Sequence, residues 1–245
     1  MNQPVESVAA PAASTGAVAA LFNVLLEPRK TFEALKPASP WILPLVVILL
    51  AVAGFTYINW PHLMDQRIEA FQASDRLEPA QKAEIIADMQ AKRENPGPVD
   101  IALGPLFVGI FSILGAALWL LLGNVVAGGD GTFKTLWSAF NYAGMVGVVE
   151  MVLKTIMIQM KQSANVYTSL ALLAPDLDTK GFAFRALDAV DIFSVWFFLV
   201  MAVGVSVMCK VKAQKATTIA IVSFVVWAVG IKAGLGTALG GLFGM

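Results

Sequence analysis

Two formal charges interrupt an otherwise apolar run at residues 147–154, GVVEMVLK, and a third, Lys232, stands in a second such run. A carboxylate and ammonium groups among hydrocarbon can do three kinds of work. Glu150 and Lys154, four apart in the favourable order, can pair along one helix face while Lys154 snorkels outward. Glu150 and Lys232 can bridge two helices and fix a bundle. Alternatively, Glu150 can titrate in a polar cavity and, with Lys232, be the basis of lipid or small-solute translocation, since intramembrane charges are functional suspects by default. Helical rise puts Glu150 and Lys232 about 25 Å beyond Lys134 and Lys215, near a boundary that water and headgroups reach, which favours the structural readings.

Other chemistry is sparse. With one cysteine, Cys209, and one histidine, His62, the chain has no means of forming an internal disulfide and little with which to build a thiolate or imidazole metal centre. No Ser/His/Asp, metal-ligand or paired-carboxylate constellation stands out, so neither an enzyme nor a cofactor is expected. The glycine-rich stretch VAGGDGTFKTLW lacks the spacing of a phosphate-cradling loop and reads as a tight turn. In it two glycines close one helix, and Asp130 or Thr132 caps the next. Cys209, beside Lys210, is a candidate for acylation, but a buried small residue is the preferred reading.

The elements that must position these groups are long apolar runs. Only 14% of residues are charged, against about 25% in soluble domains, and 58% are apolar. Seventeen basic and seventeen acidic residues cancel, so nothing recommends nucleic acid as a partner. Five runs are of about the length that crosses a bilayer, roughly 20 residues: 41–60, 101–127, 133–157, 192–209 and 216–239. Their continuity excludes the alternating pattern of a membrane barrel. The expected fold is an all-α, polytopic transmembrane bundle of five spans.

Around the spans, residues 1–20 read as a disordered tail without the features of a secretory signal. LEPRKTFEALKP reads as a short amphipathic helix opened by Pro28 and stopped by Pro37. Its Arg29, Lys30 and Lys36 can meet anionic headgroups, although a plain lead-in to the first span is the commoner outcome. Residues 61–100 form the main soluble piece, a helical loop with Ile85, Ile86 and Met89 as a narrow apolar stripe and Asp88–Lys92 as a pair. Lysine and arginine close to span ends (Arg29, Lys30, Lys36, Lys134, Lys210, Lys212 and Lys215) place the N-terminus in the cytoplasm and the C-terminus outside. Asn59, Asn124, Ser138, Asn141 and Tyr142 are expected to hydrogen-bond between helices. Glycines at 230, 234, 236, 240 and 244 permit close packing within the bundle or, more sharply, a homo-oligomer.

Three stretches in fixed order carry a resemblance: LEPRKTFEALKPASPWILPL, GNVVAGGDGTFKTLWSAFNYAGMVG, and DIFSVWFFLVMAVGVSVMCKVKAQKATTIAI. Together they resemble the Yip family of multispanning proteins over nearly all the chain from about Leu21. The resemblance implies five spans, a cytoplasmic N-terminus and no established enzymatic chemistry. Eukaryotic members act in vesicle traffic with Rab-type GTPases. This chain lacks their long polar cytoplasmic domain and is similar to the bacterial branch, so GTPase binding is not carried over to any residue here. The expectation is a non-enzymatic scaffold or adaptor in a bacterial inner membrane, with lipids and proteins as partners. Its candidate turn surfaces are Asp130, Thr132, Lys134, Lys210, Lys212 and Lys215.

Overall fold

The computed structural model describes residues 16–73, 78–174, 176–179 and 181–235. The regular elements among these residues are helices, with an isolated bridge between Ser169 and Asp191. Helix α1 spans Ala17–Leu26 and α2 Pro28–Leu35. The four residues Ala17–Ala20 therefore belong to a helix and not to a tail, because Ala20, Leu21 and Val24 bury against the bundle. Residues 1–15 of the expected tail, and the glycines at 236, 240 and 244, lie outside the described residues.

Helix α3, Ile42–Gln72, is longer than a span and runs straight through Pro61. The proline removes one N–H, yet the helix continues because its extension has something to pack on. Trp60, Met64 and Ile68 bury against Ile86 and Met89 of α4, Pro79–Lys92. Trp60 Nε1 donates to the Lys92 carbonyl at 2.9 Å, and Arg93 grips Asp65 through two bonds of 2.5 and 2.8 Å. The expected soluble loop is thus a helical hairpin continuous with the first apolar helix. The Asp88–Lys92 pair forms at 2.9 Å.

Helix α5, Pro98–Leu121, opens with proline in its first turn and the Asp100 carboxylate on the Gly97 N–H at 2.9 Å. It widens into a π turn over Leu122–Val126. Next come α6, Phe133–Ala143, and α7, Met145–Lys161, two pieces of one path separated at Gly144. Past a loop, α8 spans Phe182–Ala189. Then α9 spans Ile192–Met208, and α10 spans Ala213–Val225 and continues in π geometry over Val226–Leu235. Among the described residues, four helical stretches are long and apolar enough to cross a membrane: Ile42–Gln72, Pro98–Val126, Phe133–Lys161 and Ala213–Gly234. The apolar α9 is shorter, at 17 residues.

The turns at 127–132 and 209–212 share one end of the bundle, called here the near end. The α3–α4 hairpin and the 162–191 loop lie at the far end. Helix α3 packs on α5 and α7, α5 on α6, α6 on α9, and α9 on both α10 and α2, while α1 lies against α6 and α7. The core lies where α6 and α9 meet, around Leu136, Ala139, Tyr142, Val200, Met201 and Val205, with Phe32 of α2 inserted. Outside it the polarity is that of a membrane protein: Phe107, Phe111, Leu114, Leu118, Val222 and Val225 are exposed.

Polar side chains inside the bundle are spent on positioning. Asn59 donates to Thr155 Oγ1 at 3.0 Å and accepts from Gln159 at 3.2 Å, tying α3 to α7. Ser138 Oγ donates to the Pro40 carbonyl at 3.1 Å. Asn141 instead donates to Trp137 O of its own helix, at 2.8 Å. Tyr142 is wholly buried, and its hydroxyl has no partner among the described residues. A buried unmade hydrogen bond costs more than the missing oxygen would. Tyr142→Phe is therefore expected to raise stability by about 1 kcal/mol in thermal unfolding in detergent; a comparable loss would reveal a partner for the hydroxyl.

Candidate functional site

At the near end two turns are locked together. Thr132 caps α6: its Oγ1 accepts from Thr135 N–H at 3.3 Å, and Thr135 Oγ1 accepts from Thr132 N–H at 3.0 Å. Asp130 does not cap; its backbone N–H donates to the Cys209 carbonyl at 3.0 Å, and its carboxylate pairs with Lys210 at 2.6 Å. Lys210 has φ +56°, closing α9 in the left-handed region. Lys215 donates to Ala127 O at 3.2 Å. Asn124 ties the turn to itself, donating to Gly131 O at 2.7 Å and accepting from its N–H at 2.8 Å.

Cys209 is the pivot. It is fully buried, which leaves no access for an acyl group. Glycines 123, 129 and 131 close around it, and a Cβ on any of them would stand 2.6 Å from a Cys209 atom. At Gly129 the clash is also with backbone, the Cys209 carbonyl at 2.6 Å and the Gly123 carbonyl at 2.8 Å. These glycines exist for close approach.

The N-terminal cations are also engaged. Arg29 pairs with Glu33 at 3.1 Å and Lys30 with Glu27 at 3.0 Å, both exposed. Lys36 donates to Val207 O at 2.6 Å, fastening α2 to α9. Lys134 and Lys212 are exposed and have no ion partner among the described residues.

The intramembrane charges separate into two pairs. Glu150 accepts from Lys154 at 2.6 Å, the local pairing. Lys232 does not reach Glu150; it pairs with Asp188 at 3.0 Å and donates to the Asp188 carbonyl at 2.6 Å, 5.7 Å from the Trp227 ring centre. Asp188 also accepts from Ser169 at 2.8 Å. Asp191 caps α9 by accepting from Phe193 N–H at 2.7 Å and also holds the Thr168 hydroxyl. Sequence reasoning misses both Asp188 and Asp191. A cap directly before an apolar run is a signal that could have found Asp191; the partner of Lys232, 44 residues away, has no local signal.

Glu150 also lines an apolar cavity of about 550 Å³, with Trp119, Phe140, Phe197, Phe198 and Trp227 among its walls. Among the described residues no three His, Cys, Asp or Glu side chains gather as a metal site.

This architecture is that of an integral membrane protein built from long apolar helices, in which Glu150 pairs with Lys154 along its own helix and Lys232 with Asp188 across elements. The Yip1 domain family model matches residues 22–234. The chain belongs to the Yip family. No curated protein and no solved structure matches it.

Overpacking at Gly129 meets backbone on two sides, so Gly129→Ala is expected to cost about 1–3 kcal/mol in unfolding. Gly109→Ala, with nothing near its Cβ, serves as the neutral control. The Lys210 hydrogen bond holds the Asp130 carboxyl below its ordinary value of 3.8. A lowered folded-state pKa contributes stability above the ordinary value that is lost as pH falls through the folded value. Asp130→Asn should therefore be slightly less stable than the parent at pH 7, with the difference closing below pH 3.8 in unfolding measured across pH.

Proposed function

We propose that this Yip-family protein is a non-enzymatic membrane scaffold or adaptor, working without a cofactor, that presents its near end to protein partners in the cytoplasm of a bacterial cell. The observation that carries the reading is the lock between the turns: Asp130–Lys210 and Asp130 N–H to Cys209 O join two connections that are 80 residues apart. Such a surface is pre-organised, and a preorganised surface loses little freedom on binding. Lys134 and Lys212 stand exposed on it without ion partners among the described residues, so a partner with acidic side chains suits it.

The same reading takes α9 as a fifth crossing. It runs from the far-end loop to the near-end turn, and its 17 residues span about 26 Å, slightly less than the hydrocarbon layer. An odd number of crossings leaves the two ends of the path on opposite faces, and the near-end lysines set the near end, with the N-terminus, on the cytoplasmic side of the inner membrane.

A second reading, translocation of a lipid or small solute using Glu150 and Lys232, is favoured by the position of Glu150 in a cavity wall. Against it, Glu150 and Lys232 are each neutralised by another side chain. Proximity labelling in native membranes separates the two. Lys134→Glu with Lys212→Glu is expected to abolish the labelling of specific neighbours, while Glu150→Gln with Lys232→Met keeps it. A flux in reconstituted liposomes that disappears with Glu150→Gln in folded protein would replace the adaptor reading by the translocator.

A further inference from the structure

Helices α5 and α10 do not pack closely on each other; α5 is held by α3 and α6, and α10 by α9 and α8. Between them lies the cavity that Glu150 lines. Its rims, Leu118 on α5 and Val222 and Val226 on α10, are more than half exposed, so it opens sideways toward the surroundings of the bundle. Its floor is a mesh of rings: Phe140 on Phe197 at 5.4 Å, Trp119 on Phe198 at 6.0 Å, Phe198 on Trp227 at 5.9 Å. Rings braced against each other cannot fold inward to close the gap. An apolar groove with apolar rims, open to hydrocarbon, will be filled by hydrocarbon.

Two features identify the occupant. The first is size. Helical rise along α7 and α5 makes the groove roughly 20 Å long and narrow in proportion to that length. The groove offers about 550 Å³. A long, narrow apolar space of that volume suits a single alkyl chain. The second is polarity. The polar side chains on the lining are Glu150, Ser194 and Ser223, and Glu150 is the charged one. Glu150 lies about 25 Å from the near end, by its seventeen residues beyond Phe133. The opposite end, at Leu118, Trp119 and Leu122, is purely apolar.

We propose that this groove binds one acyl chain of an aminophospholipid from the far-side leaflet, the tail running toward Leu122 and the ammonium meeting the Glu150 carboxylate. Lys154 occupies Oε1 of that carboxylate, and an ionised carboxylate has further acceptor sites for an ammonium donor. Lys154, one turn further out on α7, is placed for the phosphate of the same headgroup. The pair thus matches a headgroup carrying both charges and disfavours one that is only anionic. This site is independent of the adaptor reading, since it lies inside the bundle and away from Lys134 and Lys212.

Native mass spectrometry of the full chain, loaded with phosphatidylethanolamine or with phosphatidylglycerol, tests the proposal. Gly147 lines the groove and has nothing within 4 Å of its Cβ position, so Gly147→Leu starts its side chain in open space and extends it into the groove; Val226→Trp fills it from the opposite wall. The parent should retain one phosphatidylethanolamine, and each folded filling variant, checked by its melting temperature, should lose about tenfold in retention. Glu150→Gln should keep a lipid while its preference for phosphatidylethanolamine over phosphatidylglycerol falls about tenfold. Undiminished retention in either folded filling variant, or equal retention of the two lipids by the parent, would overturn the site.

Discussion

A chain that crosses hydrocarbon satisfies its backbone hydrogen bonds within its helices, and where each helix ends and the path turns back the freed carbonyls need new partners. This protein meets that need at the near end by letting one turn serve another. The Cys209 carbonyl, left open by the end of α9, accepts from Asp130; the Ala127 carbonyl, left open by the π turn after α5, accepts from Lys215. Neither turn could do this at ordinary separation. Three glycines around one small thiol side chain bring the backbones together, and the ion pair Asp130–Lys210 closes the outer edge where water screens it. Positions of α5, α6, α9 and α10 follow from that contact, because each helix starts or stops there.

The groove is a consequence of the same arrangement. With their near ends fixed, α5 and α10 lean on different neighbours, and the space between them is occupied from below by aromatic side chains of α6 and α9. Phe198 alone meets Trp119, Phe197, Phe224 and Trp227. Rings of that bulk hold the outer helices apart more effectively than leucines would, and they leave a trough above themselves. A bundle sealed by small residues would have had no such opening.

Much of this is legible in the sequence, for a physical reason: continuous apolar runs of bilayer length are too long and too uniformly apolar for the helices of a small water-soluble domain, and the four long helices fall on them. The family resemblance is legible too, in the order of turn and span motifs. The Gly-rich turn can be recognised as a turn, but what its glycines make room for cannot, because Cys209 lies 80 residues beyond Gly129. A span that ends at Trp60 treats Pro61 as a stop, since a proline removes a helical donor; the packing of Trp60, Met64 and Ile68 on α4 outweighs that loss. The N-terminal cations suggest lipid contacts, whereas Lys36 is committed to the Val207 carbonyl. Local pairing at four-residue spacing is foreseeable, as Glu150–Lys154 and Asp88–Lys92 show; long-range pairing, as in Lys232–Asp188, is not.

The depth of the two charged pairs explains why they can be tolerated and why they differ. A shift of 82 residues lays Glu150 on Lys232, and both stand at the same height above near-end lysines, within reach of the far boundary. There the desolvation of a charge is partial, and a single partner suffices to hold it. Lys232 spends its charge on the last turn of α8, taking both the carboxylate and the carbonyl of Asp188, so it anchors the segment that leads into α9. Glu150 is anchored to its own helix and still faces the groove. A carboxylate needed only for structure has no reason to line an aromatic trough, where a methylene would pack better and cost nothing in desolvation. That asymmetry between two otherwise equivalent positions is the physical argument for treating Lys232 as part of the frame and Glu150 as part of a site.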